Sequence, residues 1–135
     1  MAIFDASSSS KVNSRNVIVS ANAISKSMQT LNSEMKTEFS EDMRFGMGIH
    51  AGSMIVGMMG YGKTVTETAV GDNVNIAARL EELTKTYKCE LVVSKYVTDK
   101  ADIDTKKLKP KTVDIRGRKD MLEVFTFQKA ADIPV

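Results

Sequence analysis

Apolar residues along the chain fall into periodic runs separated by polar or glycine-rich breaks, and the period alternates between that of a helix and that of a strand. Val17, Ala21, Ile24, Met28, Leu31 and Met35 recur at steps of four, three, four, three and four. This is the repeat of an amphipathic helix, with Asn22, Lys26, Gln29 and Ser33 on its polar face. The run is short of three heptads, so packing on a sheet is a simpler reading than a coiled-coil seam. Strand-like stretches follow across Met43 to His50 and Ser53 to Met59, with Ala51 and Gly52 as a bend or bulge between them. Ile76, Leu80, Leu83 and Tyr87 then repeat at four, three and four, a second helix running from Asn73 to about Tyr87. Gly71 breaks the stretch before it, and the Asp72 carboxylate is placed to cap it by accepting from the N–H of Val74 or Asn75. Glu90 to Val93 reads as a strand, Ser94 as the cap of a short helix to about Ala101, and Thr112 to Ile115 and Leu122 to Phe127 as closing strands. At the other end, Ala2 to Phe4 reads as the end of a strand and Ser7 to Ser10 as a flexible turn. The pattern predicts an α+β domain with helices on one face of a mainly antiparallel sheet.

Composition narrows the class without naming a function. A chain of 135 residues with 42% hydrophobic content can bury one ordinary core, and a net charge of +2 implies no general affinity for polyanions. The single cysteine, Cys89, excludes an internal disulfide and reads as a buried strand thiol in a reducing compartment. Met1 to Phe4 is too short for a secretory signal. The apolar stretch around Met54 to Met59 is interrupted by Gly57 and cannot span a bilayer. A soluble, cytoplasmic unit is expected, with any membrane attachment confined to regions outside this sequence. The basic tract of Lys106, Lys107, Lys109, Lys111, Arg116, Arg118 and Lys119 lacks interleaved aromatics and reads as a solvated edge carrying phosphate ligands, not as a nucleic-acid surface. His50 reads as a structural imidazole rather than a general base. The nine methionines read as adaptable packing.

Two motifs carry chemistry. In the second helix Asn75 and Arg79 stand four residues apart beside the apolar stripe, so both lean toward the helix N-terminus, where the macrodipole is positive. Arg supplies a forked, permanent cation for phosphate oxygens and Asn a neutral amide for a hydroxyl or ring oxygen. Pairing of Arg79 with Glu81 or Glu82 on a solvated face is the structural alternative. The second motif, Gly57 to Thr64, satisfies the phosphate-loop pattern G-x-x-x-x-G-K-[ST] at every position. A phosphate loop must open into a helix, however, and the residues after Lys63 are rich in β-branched side chains that favour a strand.

The stretch from Arg44 to Leu83, with its GIHAG segment and its GD-x-VN-x-A-x-R pattern, resembles the second half of the class III nucleotidyl cyclase catalytic domain, the family of adenylate and guanylate cyclases. Thr112 to Arg118 followed by Leu122 to Phe125 resembles that family's closing strands, and Met1 to Phe4 with the helix after it is more weakly similar. The combination is specific where no single motif would be. It implies a ferredoxin-like α+β core and identifies the 135 residues as the C-terminal part of a cyclase catalytic domain, a little more than half of one.

By that resemblance Asn75 orients the ribose, Arg79 stabilises charge on the α-phosphate during ring closure, and Arg118, with Arg116 as a second contact, holds the terminal phosphates. Thr68 falls where the family reads the purine, and threonine there points to ATP; Thr66 and Glu67 differ from the Asp and aromatic residue common beside it. In cyclisation the ribose 3′-oxygen attacks the α-phosphorus and pyrophosphate leaves, so the protein chiefly positions reactants and neutralises charge. The family uses Mg2+ or Mn2+ held by two aspartates. The resemblance places both upstream of Met1, with Asp5 a poor substitute, so the metal ligands are expected to be absent from this chain. The family also builds each site across a dimer interface, which implies a second cyclase domain, in a homodimer or with a related chain, and little activity for this chain alone. A noncatalytic nucleotide-binding or dimerisation module is the alternative.

Overall fold

The strand Leu91–Ser94 (β4) is buried at every position, and that fixes the layering. The computed structural model describes residues 1–4 and 9–135. Around β4 it arranges α1 (Ser10–Glu34), β1 (Met47–Ile49), β2 (Ile55–Tyr61), β3 (Thr64–Val70), α2 (Asp72–Tyr87), α3 (Lys95–Lys100), β5 (Lys111–Val113), β6 (Leu122–Phe127) and a 3-10 turn at Ala130–Asp132. The main sheet has the order β1-β4-β6-β5, and β2 and β3 form a separate hairpin. β1 runs parallel to β4, Met47 opposite Leu91. β6 runs antiparallel to both of its neighbours, with Phe125 opposite Val93 and Glu123 opposite Thr112.

Successive side chains of a strand point to opposite faces, and β4 is apolar on both. Leu91 and Val93, with Phe125 and Phe127, meet Ile18 and Ala21 of α1 and Val97 and Ala101 around α3. Val92 and Val124 face the other way, onto Ile76, Leu80 and Leu83 of α2 and onto Val113 and Ile115. The α+β class and the mainly antiparallel sheet therefore hold, with β1 and β4 a parallel pair that makes the sheet mixed. The change is that helices cover both of its faces instead of one. The doubly apolar Leu91-Val92-Val93 run is the reason: either face left bare would expose large aliphatic groups to water.

α1 is rotated from the face its apolar repeat predicts. Its buried residues are Ser14, Ile18, Ala21, Asn22 and Ser25, whereas Ile24 and Leu31 are exposed. Polar partners decide this orientation. Asn22 Nδ2 donates to the carbonyl of Ala131 at 2.8 Å, and Ser25 Oγ donates to Glu90 Oε2 at 2.6 Å. Glu90 also accepts from the Ala130 N–H at 3.0 Å and from Lys129 Nζ at 2.9 Å. Buried polar groups must be paired, and these pairs tie the helix to the C-terminal 3-10 turn. Ser9 caps α1, its side chain accepting from the Val12 N–H. Of the turn expected at Ser7 to Ser10, Ser7 and Ser8 lie outside the described residues, as does Asp5, and Ser10 already belongs to the helix. Residues 2–4, expected as a strand end, belong to neither sheet.

The seating of α2 on β1 follows from a two-residue repeat of glycine. Gly46, Gly48, His50 and Gly52 project to one side of the chain. A Cβ at Gly46 would meet the Thr84 side chain, one at Gly48 would overlap the backbone of Ala77 and Glu81, and one at Gly52 would overlap the Asn73 amide. As the strand advances from 46 to 52 the helix contacts step back from 84 to 73, so α2 runs antiparallel to β1. Two strand residues rise about 6.6 Å and four helical residues about 6 Å, so the two repeats stay in step. With no side chain at Gly48, the helix lies directly on the strand's backbone there.

Replacing Gly48 by Ala would force α2 off the strand, and a loss of roughly 2–3 kcal/mol is expected in urea unfolding. Gly57→Ala, where an added Cβ meets nothing within 4 Å, should change stability by less than about 0.5 kcal/mol. Equal effects at the two positions would show that the close approach is not a constraint.

Candidate active site

The site begins where the hairpin ends. Gly71, at φ 148° and ψ 167°, occupies the N-cap of α2, a backbone conformation that side chains resist. Its carbonyl accepts from the N–H groups of Val74 at 3.1 Å and Asn75 at 3.3 Å. Asp72 is thus the first helical residue and not the cap: the glycine takes that place, and the Asp72 carboxylate sits in the first turn at the positive end of the helix dipole. Ile76, Leu80 and Leu83 are buried as their spacing predicts. Tyr87 is partly buried, with the Lys111 ammonium 4.3 Å from its ring centre.

Asn75 and Arg79 emerge beside this stripe and open onto a groove. The groove, of about 240 Å³, is walled by Asn75, Arg79, Arg116 and Arg118 over a floor of Ile76 and Ile115. Arg79 and Arg116 also border an adjoining hollow of about 540 Å³ that Asp114 completes. The loop after β5 carries Arg116 and Arg118 because Val113 and Ile115 are buried against α2 and drive the alternate residues outward. Four of the five residues singled out from the sequence are therefore brought together. The fifth, Thr68, lies in β3 opposite Gly57, half-buried, and does not line the groove.

Arg79 is not idle. Its Nη1 donates to Glu82 Oε2 at 2.9 Å, with both side chains more than half exposed. A solvated pair of this kind contributes at most about 1 kcal/mol, which leaves the guanidinium available to a stronger anion.

Behind the groove stands a polar network that motif reading misses. His50 Nδ1 lies 2.9 Å from Ser94 Oγ, and Nε2 lies 3.0 Å from Asn73 Oδ1. Asn73 Nδ2 donates to the Ser53 carbonyl at 2.8 Å, so its Oδ1 is the acceptor toward the ring. His50 accordingly donates from Nε2–H and accepts the Ser94 hydroxyl proton at Nδ1, the neutral tautomer. The reading of His50 as a structural imidazole fits this geometry. Ser94, expected to cap α3, makes no cap hydrogen bond there; its side chain is turned to the ring instead. The signal available in the sequence was the alternation of Gly46, Gly48 and Gly52 around His50.

The phosphate-loop pattern is a turn. Tyr61 and Thr64 pair at the end of the β2–β3 hairpin, with Gly62 at φ 61°, and no helix follows Lys63 until Asp72. Cys89 is buried, and burial pushes its thiol pKa up, the condition of an unreactive packing residue.

The described lining of this groove does not fit a divalent metal ion. Its polar wall is three guanidiniums and an amide, flanked by Asp72 and Asp114, and among the described residues no three His, Cys, Asp or Glu side chains cluster to hold a metal ion. Hard divalent cations need a set of oxygen donors, and this surface is built for anions. Among the described residues, no helix is long and apolar enough to cross a membrane.

Comparison with known proteins defines the class. The family model for the adenylate and guanylate cyclase catalytic domain matches residues 2–128, and the chain belongs to that family. It is 30% identical over 83 residues to an adenylate cyclase of Anabaena cylindrica, covering 59% of this chain. It is 31% identical over 104 residues to adenylate cyclase 1 of Rhizobium meliloti (strain 1021), covering 76% of this chain. The chain spans 16% of the length of each of these relatives. Among solved structures it superposes on a guanylyl cyclase with TM-score 0.73 at 20% identity, covering 91% of this chain and 61% of that one. With the adenylyl cyclase CyaB from P. aeruginosa the TM-score is 0.71 at 20% identity, covering 90% of this chain and 62% of that one. At those identities the likeness is one of fold.

Burial holds the pKa of His50 below its ordinary 6.5, the Asn73 hydrogen bond opposes this, and the Arg118 charge adds to the lowering. Below about pH 6.5 the unfolded chain takes up a proton that the native ring refuses. The stability His50 contributes is therefore complete above that pH and declines as the pH falls toward the lowered native value. Glu90 acts in a lower window. Burial alone would raise its pKa, but hydrogen bonds from Ser25, Lys129 and Ala130 hold it below the ordinary 4.5, so its contribution is lost only as the pH falls beneath that value. Urea midpoints should drop between about pH 7 and pH 5 in the wild type and drop less in His50→Gln. Parallel profiles would show that the ring is not held neutral.

Proposed function

We propose that this chain forms one wall of an adenylate cyclase site that converts ATP to cyclic AMP and pyrophosphate, and that a second cyclase domain supplies the opposite wall. The observation that carries the reading is the convergence of Asn75, Arg79, Arg116 and Arg118 on one groove at the N-terminal end of α2. Three guanidiniums beside a helix N-terminus suit a polyphosphate. In this reading Asn75 holds the ribose, Arg79 meets the charge that develops on the α-phosphate as the 3′-oxygen attacks, and Arg118 with Arg116 holds the departing pyrophosphate. Thr68 reads the purine from the hairpin. The relatives described as adenylate cyclases support ATP as substrate. Metal chemistry is assigned to carboxylates outside this chain, because among the described residues the groove has no set of oxygen donors for it. The setting is cytoplasmic signalling.

The hairpin supports the two-domain part of the proposal. Ile55, Met59 and Tyr61, on one face of β2, are 76%, 55% and 94% exposed, an apolar area larger than a solvated hairpin needs, and a second cyclase domain is the occupant that fits. A noncatalytic binding or dimerisation module is the second reading, favoured by the Arg79–Glu82 pair, which already gives the guanidinium a carboxylate.

One mixing experiment separates the two. The chain is combined with a cyclase domain that carries the metal-binding aspartates but lacks its own equivalent of Arg79, and cyclic AMP is measured. Production should recover, and Arg79→Ala in this chain should lower it by on the order of 10²–10³. No recovery with a folded chain would favour the noncatalytic module. In the same assay, replacing Thr68 should shift the ratio of ATP to GTP turnover; an unchanged ratio would remove Thr68 from purine recognition.

A further inference from the structure

The row of glycines on β1 leaves one side chain, His50, between the strand and the start of α2, and its partner Asn73 lies two residues before Asn75. We infer that His50 and Asn73 are positioning residues that set the rotation and height of the first turn of α2, and with them the aim of Asn75 and Arg79 into the groove. The inference rests on the proposed nucleotide reading for its functional consequence, and on geometry alone for the positioning itself.

Three contacts make the device. Ser94, at the end of the central strand, fixes the ring at Nδ1; the ring fixes Asn73 at Nε2; and Asn73 fixes the Ser53 carbonyl, at 2.9, 3.0 and 2.8 Å. The chain of bonds runs from the buried sheet to the loop that leaves β1, and the first turn of α2 is its middle link. Further along, the backbone of Ala77 and Glu81 rests against Gly48. That contact fixes the distance of the helix from the strand, and the buried stripe of Ile76, Leu80 and Leu83 fixes which face turns inward, but apolar packing is not directional and leaves the fine angle of the first turn to be set. Directional hydrogen bonds set it. The amide at Asn73 is held from both sides, by a donor and an acceptor, and this specifies one rotamer and one helical phase. Gly52 completes the fit, since any side chain there would occupy the space of the Asn73 amide. Among the described residues, Asn75 and Arg79 make no such anchoring contact of their own; Arg79 reaches Glu82, on the same helix.

The test compares variants of this chain by titration with ATP and by backbone amide NMR. His50→Phe keeps a ring but removes both hydrogen bonds and should weaken ATP binding roughly tenfold, while His50→Gln, whose amide N–H can still reach Asn73, should stay within about threefold of wild type. Asn73→Ala removes the same link from the exposed end and should match His50→Phe, which keeps the inference testable if the phenylalanine variant does not fold. Glu90→Gln, a destabilising change on the far side of the sheet, should leave ATP affinity unchanged. In the wild type, ring 15N shifts should report protonated Nε2 and bare Nδ1. Equal losses in the glutamine and phenylalanine variants, or a comparable loss in Glu90→Gln, would reduce the network to a general structural role and overturn the inference. If the wild-type chain binds no ATP, the nucleotide reading fails instead. His50 is then judged by the amides of Asn75 and Arg79, which should move in His50→Phe and Asn73→Ala and not in Glu90→Gln; unmoved amides would overturn the positioning claim on its own terms.

Discussion

The contact on which the rest depends is that of α2 with the glycine face of β1. A helix normally stands off a sheet by the thickness of two side-chain layers; here one layer is missing at Gly46 and Gly48, and the helix backbone rests on the strand. The consequence is positional. Val92 and Val124 meet Ile76, Leu80 and Leu83 only because the helix is that low, and the same seating brings its outer edge level with the loop that carries Arg116 and Arg118. A site made of side chains from two separate segments needs a scaffold with little freedom between them, and close backbone contact provides it more firmly than interdigitated side chains, which can change rotamer.

Electrostatics then give the groove its character. Three guanidiniums share a small opening with one amide, and the positive end of the helix dipole points the same way. In the free chain that charge is offset by Asp72, Asp114 and Glu82, all on exposed positions. The chain as a whole carries a net charge of only +2, so the three guanidiniums give the groove a local positive character that the molecule overall lacks. Carboxylates at the rim and guanidiniums at the wall favour a ligand with localised, dense negative charge over an extended one, and a triphosphate has that distribution.

Much of this was legible in the sequence, and the parts that were not share a cause. The apolar spacing of Ile76, Leu80 and Leu83 set the inner face of α2 without ambiguity, and β-branched residues marked β3 against the phosphate-loop pattern. The Asn75 and Arg79 pair, with Arg116 and Arg118, could be assigned to one site because resemblance tied distant segments together. What failed were inferences from single side chains about buried polar partners. Asn22 looks like part of a solvated face of α1, yet it turns inward, beside Ser25, because Glu90 and the carbonyl of Ala131 need donors. Asp72 and Ser94 both look like helix caps; Gly71 displaces the first, and His50 takes the hydroxyl of the second. The second helix-bearing face of the sheet was written in the unbroken apolar run of β4, which alternation-based reading treats as one-sided. Long-range hydrogen bonds leave no local pattern, so periodicity cannot register them.

The central claim is that the groove between α2 and the Ile115–Arg118 loop is a polyphosphate site held in place by the helix seating. It is tested most directly by following the backbone amides of this chain during titration with ATP. Shifts should concentrate in residues 72–79 and 115–118, saturate together, and weaken with rising salt as guanidinium–phosphate contacts require. Shifts centred instead on Tyr61 to Thr64, or none at concentrations where a related complete cyclase domain responds, would contradict it.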